Sequence, residues 1–194
     1  MAACCACALV LPPAAALLAC LRVVGELPPP DQKLLGQALR YRTLPAGHYL
    51  CQPGQVCQEL FFIWDGVLRV VVPLGADHET TYFFAQQNQF CTLPDSFTHQ
   101  RAAHESLQAS CPTRVLTLSH RALHRLARCL PYLPSLLEGL HQRHLLRNIE
   151  QRNQYLTQPP TMRYEQFRRH QPGLARCVPA PAIASYLGLG SLCT

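Results

Sequence analysis

Two histidine pairs are the first residues in this 194-residue chain whose types and spacing could do chemistry. His120 and His124 are four apart, and His141 and His144 three apart, so on a helix each pair faces one way and could hold a metal ion with a third ligand. Sequence places no third ligand near either pair, and the expectation is solvated helix-surface histidines and no metal. No nucleophile–base pair, phosphate-binding loop or dinucleotide glycine motif is present. The only neighbouring acids, Asp77 and Glu79, sit in a turn signal between two apolar runs, so the chain is not expected to be an enzyme. Arginine is the other reactive population. Seven arginines (143, 147, 152, 163, 168, 169 and 176) face two acids between Arg143 and Thr194, whereas the first 142 residues carry ten basic and nine acidic groups. An anionic partner for the C-terminal quarter would explain that asymmetry, and an arginine-rich solvated surface would explain it equally.

Those side chains have to be positioned by something, and the organising stretch is Glu59–Pro73, ELFFIWDGVLRVVVP. Two β-branched and aromatic runs flank Asp65-Gly66, which predicts a tight hairpin buried on both faces, as in a sandwich or roll. Further short runs at Tyr41–Leu44, His48–Cys51, Thr80–Phe84, Ser106–Cys111 and Val115–Leu118 are punctuated by Pro45-Ala46-Gly47, Gln52-Pro53-Gly54, Gly75-Ala76-Asp77 and Cys111-Pro112. They predict an antiparallel β-roll of jelly-roll character within an α+β chain.

Helical periodicity brackets the roll. Leu17, Leu18, Leu21 and Val24 mark a helix over 14–24, and Asp31 could cap a second over Gln32–Leu39. Ser119 suits the N-cap of a helix over His120–Leu130. From Ser135 to Leu156 a stripe through Leu136, Leu137, Leu140, Leu145, Ile149 and Leu156 predicts a long amphipathic helix. Its near-heptad seam, with Leu140, Leu145 and Ile149 at the centre, is a natural homodimer contact. Helices over Met162–His170 and Pro181–Gly188 follow. The eleven cysteines are odd in number and lack a framework spacing, and Cys20, Cys91 and Cys129 lie in apolar runs. Buried thiols in a reducing cytoplasm are expected. Residues 2–21 carry no charge, but Pro12-Pro13 interrupts them and no basic residue precedes them, so no membrane span is expected.

Three segments in this order carry a resemblance: CQPGQVCQELFFIWDGVLRV (51–70), RVLTLSHRALHRL (114–126) and TMRYEQFRRHQPGLARCVPAPAIASYLGL (161–189). Together they resemble the Crp/Fnr family of bacterial transcription regulators, which implies entry helices, a β-roll sensor, a dimer helix and a helix-turn-helix. The implied organisation is a leader at 1–13, the roll with its flanking helices at 14–130, the dimerisation helix at 131–158 and a DNA-binding unit at 159–194. The resemblance places a small-molecule effector pocket around Phe90, Cys91, Thr92, Leu93, Arg101 and Ala103. In nucleotide-binding members a Gly-Glu pair and an arginine hold the ribose and the cyclic phosphate. Here Phe90 is followed by Cys91 and Thr92, and the arginine position falls on Ala103, with Arg101 two residues away. The effector is therefore not expected to be cyclic AMP or another cyclic nucleotide. Cys4, Cys5, Cys7 and Cys20 are similar to the cluster cysteines of oxygen-sensing relatives, but adjacent Cys4 and Cys5 cannot easily both reach one cluster, so no cofactor is expected. DNA contacts are implied at Arg168, Arg169, Arg176, Ser185 and Ser191. Only four residues follow Gly190, about one helical turn, so the resemblance implies an incomplete reader and weak, salt-dependent binding to duplex DNA. The alternative is a β-roll ligand-binding or protein-interaction module with no DNA role.

Overall fold

A computed structural model describes residues 12–74 and 79–189. Eight strands form the roll: β1 (Arg40–Leu44), β2 (Tyr49–Cys51), β3 (Glu59–Asp65), β4 (Leu68–Pro73), β5 (Glu79–Ala85), β6 (Phe90–Cys91), β7 (Ser106–Ala109) and β8 (Thr113–Ser119). They make two antiparallel four-stranded sheets, ordered β1-β8-β3-β6 and β2-β7-β4-β5. Of the consecutive strands only β4 and β5 pair with each other; every other connection changes sheet. The α+β jelly-roll expectation holds.

The predicted hairpin does not form. β3 pairs with β8 on one side and β6 on the other, while β4 pairs with β5 and β7, so Asp65-Gly66 is a corner between two sheets. Both arms are continuously apolar because each is an interior strand of its own sheet, and interior strands have no free edge for one another. A type I′ turn also needs positive φ at both central residues. Here only Gly66 has it, at 94°. A Cβ on Gly66 would lie 2.7 Å from the Thr113 Cα, so the corner closes only around a glycine. Thr113 Oγ1 accepts from the Val67 N–H at 3.2 Å and donates to the Cys111 carbonyl at 2.7 Å. On the outside Arg114 clasps the corner, donating to Asp65 Oδ2 at 2.8 Å with its guanidinium 4.2 Å above the Trp64 ring.

Helices α1 (Pro13–Leu21), α2 (Pro29–Ala38), α3 (Pro94–His99), α4 (His120–Cys129) and α5 (Leu133–Leu156) surround the roll. The helix after Pro28 starts on prolines, and Asp31 lies in its first turn rather than at its cap. The Asp31 carboxylate instead accepts from the Tyr132 hydroxyl, tying α2 to the start of α5. Ser119 does cap α4, its Oγ accepting from the Ala122 N–H at 3.2 Å. The core runs from Leu17 and Leu21 through Phe61, Phe62, Ile63, Leu68 and Leu107 to Leu133 and Leu137, each essentially inaccessible to solvent. Among the seven described cysteines none is in a disulfide; Cys51, Cys57, Cys91 and Cys111 are buried, whereas Cys129 is exposed, against expectation. The leader cysteines Cys4, Cys5 and Cys7 lie outside the described residues.

Leu140 is not available to a partner. It is 2% exposed and packs into the core of its own chain, while Leu145 is half-buried over the roll. The buried positions of α5 include His141, Asn148 and Tyr155 as well as leucines, and Ile149 is half-buried. The apolar side chain that α5 leaves open is Leu146, 61% exposed. Of the three seam residues Leu140 thus covers its own roll, whereas Leu145 and Ile149 keep partly exposed positions, because sequence periodicity does not say which surface a helix covers.

Candidate effector pocket and C-terminal helical unit

The segment between β6 and β7 is the expected ligand loop. Phe90 is buried with its ring 5.3 Å from that of Phe62, and Cys91 is fully buried, which pushes its thiol pKa up. Thr92 Oγ1 donates to the Glu59 carbonyl at 3.0 Å, and Leu93 leads into α3. After α3, Gln100 turns the chain with φ 52°, and the loop is stitched to the turn at 52–57. Ala103 N donates to the Gln55 carbonyl at 2.7 Å, the Ala103 carbonyl accepts from Gly54 N at 2.8 Å, and Ser96 Oγ donates to the Arg101 carbonyl at 2.6 Å.

A cavity of about 340 Å³ opens between this loop, β4, β5 and α5. Val70, Val72, Phe83 and Leu145 give it apolar walls; Thr92, Glu105 and His141 supply its main polar groups. Of the six residues expected around the pocket, Thr92 and Leu93 line it. Phe90, Cys91 and Ala103 are buried in the core behind it, and Arg101 is exposed on the surface. Among the described lining residues there is no lysine or arginine, so nothing there neutralises a phosphate.

Sequence reasoning missed His141. It was expected on a solvated surface and is 7% exposed, with neither ring nitrogen in a hydrogen bond of normal geometry. Burial pushes its pKa down, against the opposing influence of Glu138 and the Phe90 carbonyl. The stripe through Leu137 and Leu140 contained the signal, since His141 is four residues after Leu137 and on the same face.

Beyond α5 the chain forms α6 (Pro160–His170), α7 (Pro172–Cys177) and α8 (Ala180–Tyr186); α7 has no counterpart among the helices expected from the sequence. Tyr155, Phe167, Leu174, Ile183 and Tyr186 make their shared core, with ring centroids 5.6 Å apart for Tyr155–Phe167 and 6.0 Å for Phe167–Tyr186. Tyr186 also meets Phe84 of β5 at 5.0 Å. Two of the C-terminal arginines work internally. Arg152 Nε donates to the Tyr186 carbonyl at 3.0 Å, and Arg163 donates to the carbonyls of Gln158 (2.8 Å), Leu156 and Leu187 (both 3.1 Å), satisfying the open ends of α5 and α8.

Of the expected DNA contacts, Arg168, Arg169 and Arg176 are exposed, with Arg169 joined to Glu165. Ser185 is not presented to solvent as a reading residue. Its Oγ accepts from the Thr81 N–H at 2.7 Å, and its carbonyl accepts from Thr80 Oγ1 at 3.3 Å, because edge strand β5 has unpaired backbone groups that α8 covers. Ser191 lies outside the described residues.

Residues 41–128 match the family model of the cyclic nucleotide-binding domain. No curated protein matches the chain in sequence. Among solved structures, the c-di-GMP-responsive global regulator CLP of Xanthomonas campestris is similar with a TM-score of 0.64 at 14% identity, over 82% of this chain and 84% of that one. A cyclic nucleotide-binding domain from Methylobacillus flagellatus aligns with a TM-score of 0.59 at 18% identity, over 82% and 83%. The catabolite activator protein of Thermus thermophilus aligns with a TM-score of 0.53 at 20% identity, over 84% and 83%. At these identities the likeness is one of fold. The roll at residues 41–128 is a domain of the cyclic nucleotide-binding fold.

Proposed function

We propose that this chain is a non-enzymatic, cytoplasmic transcription regulator of Crp/Fnr type, in which a small-molecule effector under α5 controls a C-terminal DNA-binding unit in a homodimer. The observation that carries the reading is the seam between α8 and β5. Thr80 and Thr81 are held by Ser185, and the next two residues, Tyr82 and Phe83, line the cavity. A ligand that separates α5 from β5 therefore acts on the strand to which the output unit is docked. Among the described residues no helix is long and apolar enough to cross a membrane. CLP and the catabolite activator protein are regulators by name, which supports the same direction.

The cavity favours an uncharged or weakly basic effector, because its walls are apolar and the one charged residue among its described lining is Glu105. DNA attraction falls to Arg143, Arg147, Arg168, Arg169 and Arg176, which are exposed, while Arg152 and Arg163 are occupied internally. Phosphate contacts of this kind position a protein and carry no direct sequence information. The test is fluorescence anisotropy on duplex DNA across a salt series. Five phosphate contacts per protomer limit the slope of log K against log salt to about −4.5 per protomer, and removing Arg168 and Arg169 should flatten it by about two contacts. Absence of binding at low salt, or a slope unchanged in that double variant, overturns the DNA assignment.

A further inference from the structure

The groove between α3, α4 and α5 holds a second cavity, of about 460 Å³, separated from the effector pocket by Thr92, Pro94 and His141, which line both. Its floor is apolar, from Leu60, Phe97, Leu123 and Leu137. From α4 it receives His120 and His124, and from α5 Glu138 and His141.

The two α4 rings are apposed through matching atoms. Nε2 of His120 lies 3.1 Å from Nε2 of His124, with ring centroids 4.4 Å apart and planes at 71°. Two nitrogens that each bind one ion at about 2.0–2.1 Å stand about 2.9 Å apart at a right angle and about 3.3 Å apart at the tetrahedral angle. The observed separation is that of a hydrogen bond between the two rings and also lies between these values, so an ion can take the place of the shared proton with little movement of either ring. We propose that His120 and His124 form a two-point clip for a divalent transition-metal ion of the imidazole-preferring class, such as zinc or nickel, with its remaining positions open to the cavity.

Other occupants fit less well. An anion would need N–H donors pointing at it, but a neutral pair presents at most one proton between the two Nε2 atoms, and the Glu138 carboxylate shares the cavity. Phe97 holds the His120 ring edge-on at 5.3 Å, which limits its freedom to turn away. Among the described residues no group of three or more His, Cys, Asp or Glu side chains is arranged around one point, so the clip supplies two ligands and the site is exchangeable rather than structural. Glu138 is held by Gln142 Nε2 at 2.8 Å, and His141 faces the cavity with both nitrogens unpartnered.

The experiment is cobalt(II) titration of the full, reduced chain, followed in the visible range, with zinc as competitor. One equivalent should bind with ligand-field bands and no sulfur-to-metal charge-transfer band. His120→Gln and His124→Gln should each weaken binding at least tenfold while leaving the thermal melt of the metal-free protein unchanged. A charge-transfer band would assign the ion to thiolates and overturn the proposal. So would binding that survives the double variant, or no binding by the parent chain.

Discussion

Ser185 Oγ accepts a hydrogen bond from the backbone N–H of Thr81 at 2.7 Å, across 104 residues of sequence. It joins the last described helix to the exposed edge of the sensor sheet. In Ser185→Ala the fully buried Thr81 loses its N–H partner, at a cost of about 1–3 kcal/mol to the docked arrangement. Amide exchange over 180–186 and over β5 should accelerate together, with the interior strands β3 and β4 unaffected. Uniform acceleration across the roll would mean that the seam is not a separable unit.

Arg163 closes the same unit from the other side. Replacing it with glutamine removes the donor to the Leu156 and Leu187 carbonyls at the ends of α5 and α8, and should cost about 2 kcal/mol. Limited proteolysis should then cut first between α5 and α6. An unchanged cleavage pattern would count against this role.

Gly66 and Gly54 both have positive φ, yet they should respond differently to alanine. At Gly54 a Cβ meets nothing within 4 Å, so the cost is the backbone term alone, about 1–2 kcal/mol. At Gly66 the Cβ would press on the Thr113 Cα at 2.7 Å and the Pro112 carbonyl at 2.8 Å, and two sheets would have to separate. The expected loss there is at least 4 kcal/mol, on the order of the largest single-site effects. Denaturant melts of the two variants give the comparison, and equal losses would refute the corner.

Stability should fall with acid through the histidines. His141, His144 and His120 all have pKa values pushed below the ordinary histidine value by burial, so the unfolded chain binds protons first as the pH drops. Stability should be level above pH ~6.5 and decline below it as the folded values are approached. His141→Leu replaces an unpartnered imidazole by an apolar group of similar size and should be neutral or stabilising by about 1–2 kcal/mol near pH 7. It should also make the decline between pH 6.5 and 5 shallower. A steeper decline would reverse the sign assigned to His141.

Cyclic AMP and cyclic GMP at millimolar concentration should not raise the melting temperature, since the described pocket wall offers no cation to the phosphate. A saturable shift of several degrees with either would overturn the reading of the pocket.

Much of this protein was legible along the chain because the signals are local. Alternating apolar runs, turn glycines at 47 and 54, the Ser119 cap and the proline stops define strands and helices through backbone preferences that act within a few residues. The departures of Cys91, Thr92 and Ala103 from a nucleotide-binding loop were legible for the same reason. Pairing and facing were not. Asp65-Gly66 has the composition of a hairpin, but β3 and β4 find better partners in β8, β6, β7 and β5, a choice made by long-range closure of two sheets. The leucine stripe of α5 was visible, but whether Leu140 covers its own roll or a second molecule depends on which surface reaches it. His141, Ser185 and Arg163 were counted as surface groups, and the tertiary structure turned them inward. Burial, hydrogen-bond partners and the approach of distant strands are properties of the assembled chain, so only the assembled chain could assign them.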